Sequence, residues 1–163
     1  MLRIAALNLI QNVTIVPWAI RKRVLAPLGI RIKSRSYIAS GARFSSGKMT
    51  VDQGSFINHN LLIEGAGDIS VGAQVRIGPN VQLLTGTHTI TRNPLARASY
   101  EVDYVPKTIG NGVWIGAGAI ILPGADVADG CVLASGAVLT RSTLPDGLYA
   151  GVPARRLRSL DSE

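Results

Sequence analysis

The sequence predicts a mainly β chain wound into a parallel solenoid of triangular cross-section, with a short helical segment before it and one protruding loop. Three observations carry that reading. An aliphatic residue recurs at every sixth position through Ile109, Ile115, Ile121, Val127, Leu133 and Leu139. A small or β-branched residue follows each by four positions, at Val113, Ala119, Ala125, Cys131, Ala137 and Thr143. Aromatics are only 5% of the 163 residues while glycine numbers 18, so the core must be Val, Ile, Leu and Ala in a narrow interior. A period of six fits neither a helix nor an alternating strand. It fits short flat strands joined by tight turns, three to a coil, with glycine or asparagine in left-handed turn positions.

The elements follow in order. Residues 1–36 form a helical capping segment. Their opening run is apolar but is broken by Asn8, Gln11 and Asn12, then by Pro17 and the basic Arg21, Lys22 and Arg23. It is too interrupted for a transmembrane span and has no small-residue cleavage site of a signal peptide. A second reading of the same residues is an interfacial anchor, with Trp18 and the basic triplet on an anionic membrane.

The solenoid is expected over residues 37–145. Val51, Ile57, Ile63 and Ile69 keep the period of six; the phase then slips by two and continues through Val71, Ile77 and Leu83. From 89 to 106 the pattern stops, and so long an interruption in a compact body predicts a functional loop. Residues 146–163 close the chain as a capping tail.

Charge narrows the partners. Seventeen Lys and Arg against ten Asp and Glu give +7, which calls for an anionic partner: nucleic acid, acidic lipid, sugar phosphate or a phosphorylated cofactor. No nucleic-acid module or aromatic-interleaved basic run is present, so nucleic acid is not expected. The single Cys131 excludes an internal disulfide and points to the cytoplasm.

The segments "VRIGPNVQLLTGTHTI", "PKTIGNGVWIGAGAIILPG", "ASGAVLTR" and "AGVPARRLR" resemble the hexapeptide-repeat O-acetyltransferases, nearest the maltose, galactoside and nodulation-factor branch. The resemblance runs from about Val51 to Arg158. It implies a left-handed parallel β-helix, a homotrimer with active sites between subunits, acetyl-CoA as co-substrate and no metal. It also implies a saccharide hydroxyl as acceptor and a loop that covers a neighbouring subunit's site.

His88 of "TGTH" is then the general base. A sugar hydroxyl is a very weak acid, and a positioned imidazole suits its deprotonation during attack. Glu101 matches a loop acid that helps orient the histidine, and Asn58 of "FINHNLLIEG" matches an acceptor-side asparagine. His59 falls at an aromatic position, and Asn60 reads as an ordinary turn residue. On the donor side the resemblance implies Trp114, Ala117, Ser135, Thr140 and Arg141 along the pantetheine and nucleotide, with Arg155 and Arg158 at the phosphates.

One departure stands out. The sugar acetyltransferases carry paired aspartates where this chain has Gly65 and Ala66 of "EGAGD". The acceptor is therefore expected to be a sugar unit of a surface polysaccharide, glycolipid or similar molecule, and neither maltose nor a β-galactoside. Two other readings use the same scaffold. A γ-type carbonic anhydrase needs three histidine ligands, and this chain has two histidines in all. A non-catalytic solenoid scaffold at a membrane leaves the interruption and His88 unexplained.

Overall fold

The computed structural model describes residues 2–13, 16–45 and 47–160. Two helices come first, α1 (Leu2–Asn12) and α2 (Trp18–Leu25). The first coil follows as β1 (Ile30–Ile32), β2 (Tyr37–Ile38) and β3 (Arg43–Phe44). The second is β4 (Met49–Val51), β5 (Phe56–Ile57) and β6 (Leu62–Glu64); the third is β7 (Ile69–Val71), β8 (Arg76–Ile77) and β9 (Gln82–Leu84). A hairpin, β10 (Gly86–Ile90) and β11 (Ala98–Tyr104), leaves the body at that point. The fourth coil is β12 (Lys107–Ile109), β13 (Trp114–Ile115) and β14 (Ile120–Ile121). The fifth has an isolated bridge at Val127, then β15 (Val132–Leu133) and β16 (Val138–Leu139). The chain finishes with β17 (Gly147–Ala150) and β18 (Arg155–Ser159).

Like strands of successive coils stack in parallel and make three faces. The first is β1-β4-β7-β12, the second β2-β5-β8-β13-β15-β17, and the third β3-β6-β9-β14-β16. The last strand, β18, extends the second face but runs antiparallel to β17. The sixth-position column points inward as predicted: Ile57, Ile77, Ile115 and Leu133 lie in register and are all but inaccessible. So do Ile63, Leu83, Ile121 and Leu139 on the third face. This aliphatic column, with each coil hydrogen-bonded to its neighbours, is what holds the prism together.

Coil length changes along the prism. Ile57 pairs with Ile77, twenty residues on, whereas Ile115 pairs with Leu133, eighteen on. The two additional residues lie between Ile63 and Val71, at the corner joining the third face to the next first face, and they produce the phase slip. That corner is "EGAGD". Gly65 sits at φ +95°, and a Cβ there would stand 2.4 Å from Thr85 Oγ1. At Gly67 a Cβ would stand 2.2 Å from the Val105 carbonyl oxygen. Thr85 and Val105 are the two roots of the hairpin, so the corner is glycine because the hairpin is seated on it.

Three boundaries differ from expectation. The solenoid begins at Ile30 rather than residue 37, because Ile30–Ile32 already pairs with Met49–Val51. The protruding loop expected from 89 to 106 is the outer part of a β-hairpin that opens at Gly86, with Gly86 opposite Tyr104 and His88 opposite Val102. The expected tail from 146 opens inside the body, since Leu148 and Tyr149 pair in parallel with Val132 and Leu133. At the N-terminal end α1 packs on β3, where Asn8 brackets Phe44 by donating to its carbonyl and accepting from its N–H.

Candidate active site

The corner between the second and third faces carries a straight column of turns. The His59 carbonyl accepts from Asn80, the Pro79 carbonyl from Gly118, and the Ala117 carbonyl from Gly136, which stacks His59, Pro79, Ala117 and Ser135 one above another. Asn58 is half-buried at the N-terminal end of this column, where its Oδ1 accepts the His59 N–H at 2.8 Å. His59 is exposed with Nδ1 3.2 Å from the Ser40 hydroxyl. Asn60 holds φ +60°, the turn role expected of it.

In the regular coils this corner has an open floor. Gly118 and Gly136 sit at φ +67° and +70°, and a Cβ at either would meet nothing within 4 Å. Ala117 and Ser135 are exposed beside them. Backbone without side chains, in a row along a ridge, suits the close approach of an extended ligand arm. Arg155 lies near the C-terminal end of the same ridge, opposite Ala150 and with Nη1 on the Ala154 carbonyl. Trp114 is 58% exposed in the outer row of the second face, between Arg76 and Val132, and that row ends at Leu148 and Arg158. The structure thus brings Asn58, Ala117, Ser135 and Arg155 onto one ridge, with Trp114 and Arg158 on the face beside it.

His88 is elsewhere in the chain. It rides on the hairpin that leaves the corner between the third and first faces. Thr140 and Arg141 follow β16 at that same corner, two coils on, and are exposed. His88 Nδ1 lies 2.7 Å from the Ser99 carbonyl oxygen. A carbonyl can only accept, so Nδ1 carries the proton, and in the neutral ring Nε2 keeps its lone pair. Ser99 is itself tied down: its hydroxyl donates to the Glu101 carbonyl at 2.7 Å and accepts the Thr89 N–H at 3.1 Å. Glu101 falls in the bulge of β11 opposite His88 and Ile90, and what it contributes there is its backbone carbonyl. The partner of His88 Nδ1 is therefore the Ser99 carbonyl and not the Glu101 carboxylate. Sequence reasoning missed Ser99 because a main-chain acceptor leaves no mark on residue type.

Lys107 was also missed. It follows the hairpin directly, is 1% exposed, and donates through Nζ to the carbonyls of Leu122 and Ala125, each at 2.8 Å. Burial pushes its ammonium down from 10.5 to about 8, and the nearby Asp126 carboxylate partly opposes the shift. It fastens the returning strand of the hairpin to the turn of the next coil.

The far part of the hairpin is apolar and uncovered: Ile90 is 83% exposed, Leu95 95%, and Tyr100 fully exposed. The two histidines lie at different corners, and among the described residues no group of three His, Cys, Asp or Glu gathers to hold a metal.

Comparison with known proteins gives three findings. Residues 106–141 match the family described as "Bacterial transferase hexapeptide (six repeats)". Galactoside O-acetyltransferase of Escherichia coli is 29% identical over 86% of this chain and 69% of its own length. Nodulation protein L of Rhizobium meliloti is 42% identical over 62% of this chain and 54% of its own. Among solved structures, a hexapeptide-repeat-containing acetyltransferase of Vibrio cholerae O1 biovar eltor, complexed with acetyl coenzyme A, superposes with a TM-score of 0.85. It is 28% identical, and the match covers 98% of this chain and 86% of that one. The chain spans about half to two thirds of the curated relatives it matches.

Proposed function

On the premise that this chain is a hexapeptide-repeat protein, we propose that it transfers an acetyl group from acetyl-CoA to a hydroxyl of a saccharide or sugar-containing acceptor. The observation that carries the reading is the fixed tautomer of His88. With Nδ1–H committed to the Ser99 carbonyl, Nε2 is left as a base. It takes the proton from the acceptor hydroxyl as that oxygen attacks, and returns it to the departing thiolate. No covalent enzyme intermediate is required.

Acetyl-CoA supplies the activated acetyl group. The residues that would hold it are those of the open ridge: Ala117 and Ser135 along the arm, Trp114 beside it, Thr140 and Arg141 across the third face, and Arg155 and Arg158 at the phosphates. The glycine floor at Gly118 and Gly136 fits such an arm, because a side chain there would fill the space it needs. Asn58 is assigned to the acceptor. The acceptor is a sugar unit other than maltose or a β-galactoside, since Gly65 and Ala66 stand where those enzymes carry their paired aspartates, and a Cβ at Gly65 would already meet Thr85.

Hairpin and ridge belong to different corners of one prism, and this is accounted for if each active site combines the hairpin of one subunit with the ridge of the next. The exposed Ile90, Leu95 and Tyr100 support a neighbour that covers them. A homotrimer is the closed assembly that flat-faced prisms form most simply. The reading puts the chain in the cytoplasm, with its donor.

The test is acetyl-CoA-dependent transfer to a panel of saccharide acceptors, with His88→Ala alongside. The variant is expected to lose about 10²–10⁴-fold in turnover while coenzyme A still raises the melting temperature. Turnover retained by the variant would remove His88 as the base, and no thermal shift of the parent protein at saturating coenzyme A would remove the donor.

A further inference from the structure

Charge is distributed very unevenly along this chain. Residues 1–51 hold nine of the seventeen Lys and Arg and none of the ten Asp and Glu. The rest of the chain therefore has eight cations against ten acids. The fold gathers the described residues among them at one end of the prism, as α1, α2, the first coil and β4.

The two helices there have a buried side and an outer side. Leu7, Gln11, Arg21 and Leu25 face the body. Leu2, Ala5 and Leu9 recur at steps of three and four on the outer side of α1, and Ala19, Ile20, Arg23 and Val24 are exposed on α2. Leu2 is 90% exposed, Leu9 67% and Ile20 53%, although a cap on a soluble prism has no use for aliphatic side chains in water. The same end of the chain carries exposed cations: Arg23 on α2, Arg31, Arg35 and Arg43 on the first coil, Lys48 before β4, and Arg3 on α1, which donates to the Leu28 and Gly47 carbonyls. Lys33 is paired with Asp52 at 2.9 Å. Even the buried cation, Arg21, is met by neutral groups, with Nη1 on Gln11 Oε1 and the guanidinium carbon 5.4 Å from the Trp18 ring centre.

We propose that this end of the prism docks on an anionic phospholipid surface. Aliphatic side chains of the two helices enter the boundary of the acyl region, and the exposed arginines and lysine of the same end meet the lipid phosphates. Nucleic acid would satisfy the charge but leaves the aliphatic stripe unused, so the combination selects the bilayer. Binding is peripheral, because among the described residues no helix is long and apolar enough to cross a membrane. In a cyclic trimer all three such ends lie on one side, so the contact is threefold. The hairpin leaves the body after three coils, roughly 15 Å above the first at about 4.8 Å per coil. The acceptor is then a saccharide carried on a lipid, held within reach of the bilayer. This last step rests on the function proposed above; the docking does not.

The test is co-sedimentation of the full chain with phosphatidylcholine vesicles, with and without phosphatidylglycerol. Its readout is independent of transfer activity. Binding is expected only to the anionic vesicles and is expected to fall as salt rises. Arg23→Gln should lower the partition constant about fivefold. Leu9→Ser combined with Ile20→Ser should lower it further while thermal midpoint and coenzyme A binding hold, since both side chains are exposed. Equal binding to both vesicle types, no binding to anionic vesicles at low salt, or tighter binding to a DNA duplex than to the vesicles would each overturn the proposal.

Discussion

The two halves of the solenoid are built on the same rule and do different things with it. After the hairpin the coils are eighteen residues long, with a glycine ridge of open backbone at the corner between the second and third faces. Before the hairpin the first coil takes nineteen residues and the second twenty, and the second coil's two residues beyond eighteen make the Gly65–Gly67 corner on which the hairpin rests. The regular half offers a uniform groove that repeats with each coil. The irregular half offers one singular seat, and a singular seat is what a catalytic side chain needs, because it must be held in one place.

The comparison breaks first at the seat. Gly67→Ala puts a methyl against the Val105 carbonyl, and the hairpin root must move. Overpacking of this kind costs about 1–3 kcal/mol, and on the role proposed for His88 its displacement should cost about a hundredfold in turnover. Coenzyme A binding, measured by thermal shift, should be unaffected because the ridge lies in the other half. Joint loss of both would show that the halves are not separable.

A milder break is Arg155→Ala on the ridge. On the donor site proposed above, its loss should weaken donor affinity by about tenfold and leave the rate at saturating donor unchanged. An unaltered donor KM would take Arg155 out of the site.

Lys107 links the halves and gives a pH signature. Its ammonium titrates near 8 in the fold and near 10.5 when the chain is unfolded. Between those values the unfolded chain holds a proton that the folded chain has released, so this residue makes stability rise with pH from about 8 to 10.5. Urea midpoints across that window should rise for the parent protein and flatten in Lys107→Met. The smallest effect is expected from Glu101→Gln. With the Ser99 carbonyl already holding Nδ1, turnover should stay within about threefold. A loss above tenfold would mean that the carboxylate acts on His88 across the subunit boundary.

The inner columns were legible because each inward aliphatic is fixed by the stacking of coils, and the period survives wherever coil length is constant. The slip of two between Ile69 and Val71 was visible as an irregularity, but its cause was not. The cause is contact with Thr85 and Val105, which are distant in sequence. The hairpin was read as a loop, although "ASYEVDY" alternates, because it breaks the period of six and neither strand contributes to the core. His88 was legible as a residue type in a motif. Its tautomer was not, since it is set by a main-chain carbonyl. Ile30–Ile32 fell outside the expected solenoid, although Ile32, Ile38 and Phe44 keep the period of six, because the step from Phe44 to Val51 is seven and hides the continuity.

The reversed strand β18 governs something the repeat itself leaves open. A stack of identical coils has no natural number of members, and its last coil is as adhesive as its first. Here one terminus is roofed by helices, and the second face ends in a strand of opposite polarity. That strand takes the hydrogen bonds that a further parallel neighbour would have made. On that face the height of the stack is therefore set by the strand that reverses, and not by the repeat.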